Sequence, residues 1–302
     1  MRLATFTDGR GTRIGVVVGQ EVADVEAVAP ELPRDLRLLL ELGEAGLARV
    51  REAAVAAPRV RLDAIKLEAP VPRPGKFLAV GLNYTDHIRE LGEGRPKVPS
   101  CFAKMGTCIT GPYDPVHRPR VSDTLDYEGE LGFVIGRRCR HVPKARAAEV
   151  IAGYVVVDDF TVREWVNLSK QVVIPKSFDS HGPFGPWLTT ADEVGDPHSL
   201  WIRTWVNGEL RQDSNTEQMT YGCHDLVEYL SQAVTLEPGD VITTGTPRGV
   251  GEGFDPKRYL RPGDVVKVEI EKLGFLANPI VEEPASPADA FRSGRVEPTR
   301  LS

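Results

Sequence analysis

Basic runs, paired cysteines and long apolar stretches are all missing from this sequence. Lysine and arginine number 37 against 43 acidic residues, a net charge of −6. No basic cluster offers a phosphate backbone a track, so no nucleic-acid partner is expected. The four cysteines, Cys101, Cys108, Cys139 and Cys223, form no C-x-x-C pair. Neither a zinc site nor thioredoxin-type chemistry is signalled, and scattered thiols in such a chain read as reduced residues of a cytosolic protein. The longest apolar runs, such as YVVV at 154–157, fall far short of the ~20 residues that span a bilayer. The opening MRLATFTDGRGTR lacks the apolar stretch of a signal peptide. The expectation is a cytoplasmic protein with no membrane partner.

Several catalytic signatures are absent as well. There is no G-x-S-x-G elbow, so a serine nucleophile is not signalled. No G-x-G-x-x-G lies between a strand and a helix. The stretch TGTPRGVGEG at 244–253 is glycine-rich but lacks the GK[ST] ending of a phosphate loop; it is either an ordinary turn or a set of backbone amides near an anionic ligand.

What is present is a globular chain of 302 residues, 41% hydrophobic and 26% charged, with 29 glycines and 24 prolines. Frequent turns and short β-branched runs predict strands rather than a helical bundle. Residues 1–66 read as a small N-terminal α/β unit: two strands around a glycine-rich turn, a third short strand, then one helix opened by Pro33 over 34–57. The proline-rich stretch at 70–75 reads as a linker, inside a second unit of 67–285. That unit shows strand-like runs at YEGELGFVIG, AGYVVVDDF, PWLTT, LWIRTWVNGEL, DVITTG and DVVKVEI. Helices are predicted at NYTDHIREL, with Asn83 or Thr85 as N-cap, at KARAAEVIAG and at CHDLVEYLSQAV. Residues 286–302, polar and proline-rich, read as a loose tail.

Candidate chemistry gathers in that second unit. Glu128 and Glu130 are two apart in a strand-like run and so share a face; they are either a solvated strand face or a pair around a cation. Asp158 and Asp159 end the apolar run IAGYVVV, where they either cap the next segment, TVREWV, or face a cavity. Three carboxylates around one point, with no His or Cys, select Mg²⁺, Mn²⁺ or Ca²⁺. His87 and Glu90, three apart on a predicted helix, form either a surface pair or a carboxylate-held general base. Arg163 and Lys176 are surface charges or partners for a substrate carboxylate.

Together these segments resemble the fumarylacetoacetate hydrolase family. The matching phrases run in the family's order over 76–281: VGLNYTDHIREL, LDYEGELGFVIG, IAGYVVVDDFTVRE, PKSFD, GPFGPWLTT, VNGELRQ, LEPGDVITTGTPRGVG and LRPGDVVKVEI. The resemblance implies an α+β, β-rich fold, a mixed-sheet β-roll with a small N-terminal domain, in a homodimer. It implies one Mg²⁺ or Mn²⁺ on Glu128, Glu130 and Asp159, the last in preference to Asp158. It assigns catalysis to His87, Glu90 and Lys176, and substrate binding to Arg163 and Thr246. The implied activity is hydrolysis of a carbon–carbon bond in a 1,3-diketo acid of the acylpyruvate or fumarylpyruvate type, through an enolate held on the metal. Decarboxylation, isomerisation or hydration of a 2-oxo acid on the same site is the alternative. One departure stands out: Val166 occupies a position where many members carry a polar residue that orients water or substrate.

Overall fold

A computed structural model describes residues 1–168 and 171–285; the tail expected at 286–302 lies outside them. Among the described residues there is one sheet of twelve strands, one of five and a two-stranded pair, flanked by short helices. The architecture is the mixed, strand-rich α+β type. No helix among the described residues is long and apolar enough to cross a membrane.

Four strands of the large sheet position the site. Gly129–Ile135 and Ile151–Asp158 are buried almost throughout, as suits strands covered on both faces. They pair antiparallel, with Gly129 opposite Asp158 and Glu130 opposite Val157. Val241–Thr243 pairs antiparallel with the other edge of Gly129–Ile135, and Phe77–Gly81 runs parallel to Val241–Thr243. The start of Gly129–Ile135 therefore lies beside the ends of the other three strands. Every chain segment that leaves the sheet there carries candidate chemistry.

Alternation sorts the side chains between two cores. Leu131, Phe133 and Val156 pack with Ile202, Val268 and Leu276 of the five-stranded sheet. Val134 and Val157 join Leu36, Leu39 and Val50 of the N-terminal helices on the opposite face. Residues 2–24 form three antiparallel strands, and Arg2–Asp8 pairs with Gly182–Thr190, so the large sheet runs on from the first unit into the second.

Several local expectations change. The single helix over 34–57 is two, Leu36–Glu41 and Gly43–Ala56. They break at Gly43, whose φ of +63° leaves helical space and suits a residue without Cβ. The helix predicted at KARAAEVIAG is a 3₁₀ segment, Lys144–Val150, and its last residues begin the strand Ile151–Asp158. Neither Asn83 nor Thr85 caps Thr85–Glu90: Tyr84 holds that place without a side-chain bond. Asn83 is used elsewhere, donating to the carbonyls of Tyr221 and Thr244 and accepting from the Tyr221 amide.

Candidate active site

Strand register decides which carboxylates meet. Glu128 and Glu130 point to one face. Val157, opposite Glu130, shares that face, and so does Asp159 two residues on. Asp158, opposite Gly129, points to the other. One ligand oxygen each from Glu128, Glu130 and Asp159 lie within 4.8 Å of one another, and all three residues are buried. Asp158 supports the cluster from behind: its Oδ1 accepts the Glu128 amide at 2.8 Å. It caps no helix, because Arg163–Val166 begins after Val162 with no side-chain cap. Gly129 between the glutamates is a close approach. A Cβ there would stand 2.4 Å from Thr204 Oγ1 on the five-stranded sheet.

Cations surround the cluster. Lys176 Nζ lies 2.5 Å from Glu128 Oε2 and 3.0 Å from Asp159 Oδ2. Lys104 Nζ lies 2.5 Å from Asp159 Oδ1 and donates also to the carbonyls of Lys176 and His181. Arg163 is clamped, with Nη1 2.7 Å from Glu128 and Nε 2.7 Å from Asp126. Burial pushes the Glu128 carboxyl up, but Lys176 and Arg163 outweigh it and hold it down at about 2. Glu130 goes the other way: burial, then the charges of Asp159 and Glu128, raise it well above the carboxylate range. Its Oε2 accepts only the Gly245 amide at 2.8 Å among described hydrogen bonds. Three buried carboxylates that crowd one another, all oxygen donors, fit a hard divalent cation.

The second group comes from Thr85–Glu90. His87 Nδ1 lies 2.9 Å from Glu90 Oε2, and Glu90 Oε1 accepts the Gly249 amide at 2.8 Å. A carboxylate only accepts, so Nδ1 carries the hydrogen, and in the neutral imidazole the lone pair is on Nε2. His87, Glu128, Lys176, Arg163 and Thr246 line one cavity of about 360 Å³, and Val166 forms part of its wall. Thr246 is turned to the backbone: its hydroxyl donates to the Gly129 carbonyl and accepts from Gln212. Gln212 also receives the Gly129 amide at 3.0 Å, fixing the loop against the glutamate strand.

The structure thus brings together Glu128, Glu130, Asp159, Lys176, Arg163, Thr246, His87 and Glu90. Sequence reasoning missed Lys104, Gln212 and Asp126. Lys104 is a lone lysine in FAKMG with no spacing cue. Asp126, which takes the amides of Gly251 and Glu252, precedes the glutamate pair and reads as one more acid in LDYEGE.

A buried carboxylate triad thus adjoins a cavity lined by Glu128 and by His87, whose ring is paired with Glu90, a set of groups suited to a divalent cation and to acid–base chemistry. Residues 76–281 match the model of the fumarylacetoacetate (FAA) hydrolase C-terminal family, and the chain belongs to that family. It is 40% identical over 288 residues to oxaloacetate tautomerase fahd2, mitochondrial, of Xenopus laevis, covering 93% of this chain and 90% of that protein. Its fold matches maleylpyruvate hydrolase from Sphingobium sp. SYK-6, solved in complex with manganese(II) ion and pyruvate, at a TM-score of 0.79 and 34% identity. It also matches 5-carboxymethyl-2-hydroxymuconate delta-isomerase from Mycobacterium smegmatis at a TM-score of 0.76 and 33% identity. Each match covers 94% of this chain and 100% of the solved chain.

Proposed function

We propose that this chain interconverts the enol and keto forms of a 2-oxo acid, using Mg²⁺ or Mn²⁺ held by Glu128, Glu130 and Asp159. The observation that carries the reading is His87, held by Glu90, in a cavity that Glu128 of the carboxylate cluster also lines, with Val166 on its wall. A base is present, and Val166 on that wall cannot hydrogen-bond an attacking water. The divalent ion supplies a Lewis acid for the 2-oxo oxygen and a template for the substrate carboxylate.

The residues then divide the work. Glu90 fixes the His87 tautomer and leaves Nε2 free to take a proton from C3 of the keto acid. The C3–H electrons become the C2–C3 double bond, and the carbonyl π pair moves onto the 2-oxo oxygen. Lys176 stands beside the cluster with positive charge for that oxygen, and such preorganised charge is usually the largest catalytic term. The proton held on His87 Nε2 is released to solvent as that oxygen takes one up from solvent to give the enol, and the reverse sequence returns the ketone. No oxidant or second substrate is consumed.

Carbon–carbon hydrolysis of an acylpyruvate is the second reading. The likeness to maleylpyruvate hydrolase favours it. The test uses purified protein with Mg²⁺ or Mn²⁺. Loss of the enol absorbance of phenylpyruvate is followed in one assay and pyruvate release from acylpyruvates in another. Accelerated enol loss without pyruvate release is the expected result. Rapid pyruvate release would make the chain a hydrolase.

A further inference from the structure

We infer that the substrate's end remote from its 2-oxo carboxylate is apolar and uncharged, and that Leu82, Phe102 and Val166 form the sleeve that receives it. This rests on the 2-oxo acid reading above and names the substrate class within it. Three observations carry it. Away from Glu128 the cavity wall carries Leu82, Leu91, Phe102, Val166 and Val172, with Ser100 and Asn167 as neutral polar members. Lys176 Nζ lies 5.8 Å from the centre of the Phe102 ring, so the sleeve starts where the reactive end stops.

The second observation concerns charge. Among the described residues, the lysine and arginine side chains lining the cavity are Lys176 and Arg163. Lys176 is engaged by Glu128 and Asp159, and Arg163 by Asp126 and Glu128. The remaining Arg163 nitrogen, Nη2, is closed off from solvent. The further charged side chains on the wall, Glu93 and Glu252, would repel a second carboxylate. Ser100 and Asn167 also line the cavity but carry no charge, so among the described residues a distal carboxylate loses water and meets no free cation, which disfavours it against an apolar end.

The third is backbone strain. Leu82 has φ +52°, a left-handed conformation that glycine or asparagine adopts far more readily than leucine. A leucine held there, with its side chain on the cavity wall, points to a task for that side chain.

The test is binding rather than turnover. N-benzyloxamate and N-oxalylglycine present the same oxamate head, one with an aromatic tail and one with a carboxylate tail. Both are titrated calorimetrically into the Mg²⁺-loaded full chain. The wild type is expected to prefer N-benzyloxamate at least tenfold, the scale on which apolar pockets discriminate. Leu82→Asn suits the left-handed backbone, so its thermal midpoint should hold while the preference shrinks about tenfold. Val166→Arg should invert the preference. Equal or tighter binding of N-oxalylglycine by the wild type, or a preference unmoved by both variants, would overturn the inference. A chain that binds with this preference yet shows no enol–keto activity would sink the reaction and leave the sleeve standing.

Discussion

Replacing Glu130 with glutamine should make the metal-free protein no less stable while abolishing its response to metal. The ligand oxygens of Glu128, Glu130 and Asp159 lie within 4.8 Å. At that separation and an effective dielectric near 20, each like-charge pair costs ~3.5 kcal/mol before neighbouring cations offset it. Lys104 and Lys176 offset part of it, and burial together with the remaining repulsion raises the Glu130 carboxyl. A neutral isostere removes that residue of repulsion and keeps an acceptor for the Gly245 amide. The expected gain for the metal-free variant is ~1 kcal/mol or less. The wild type, at a hundredfold metal excess over Kd, should gain ~2.7 kcal/mol from binding, roughly 5 °C in thermal midpoint for a chain of this size. Differential scanning with and without Mg²⁺ or Mn²⁺ reads both effects. A Glu130→Gln protein that keeps the metal-dependent rise, or that loses several degrees without metal, would refute the placement of the ion.

Two further outcomes concern stability. Arg13 is fully buried, bonded to Asp24 at 2.9–3.1 Å and to Asp8 at 2.7 Å. Asp24→Ala, which leaves Arg13 bonded to Asp8, should cost about 1.5–3 kcal/mol in urea unfolding, the usual worth of a buried hydrogen bond to a charged group; a loss under 1 kcal/mol would contradict the network. His181 donates Nε2–H to the His117 carbonyl at 2.8 Å, and burial holds its pKa down at about 3. The unfolded imidazole, titrating near 6.5, binds the proton that the folded one refuses, so this contribution is complete above about pH 6.5 and is lost as pH falls toward 3. About 2 kcal/mol should disappear between pH 6.5 and 5. His181→Gln, which cannot charge, should flatten that slope in urea titrations, and an unchanged slope would place its cause elsewhere.

Much of the fold and site is legible in the residues. Same-face spacing joined Glu128 to Glu130, and the apolar run ahead of Asp158 and Asp159 marked a buried strand. The resemblance preferred Asp159 to Asp158, and the physical reason for that choice is the register that sets Glu130 against Val157. The strand Gly274–Glu282 was hidden, because Pro279 argues against a central strand and Asn278 breaks the apolar pattern. Asn278 is buried there because its amide donates to the carbonyls of Gly111 and Asp114. Lys104 illustrates the same limit: its role comes from Asp159, 55 residues away, and nothing local announces it. Val166 was visible as a valine, but its place on the cavity wall was not.

Proton transfer at C3 is the central claim, and deuterium uptake tests it most directly. Phenylpyruvate is incubated in D₂O with Mg²⁺ and protein, and label at C3 is read by mass spectrometry against the buffer rate. Wild-type protein should accelerate uptake, and His87→Ala should lower the enzymatic rate about 10²–10⁴-fold, the usual worth of a general base. Uptake at the buffer rate with wild-type protein, or an undiminished rate in His87→Ala, would contradict the account.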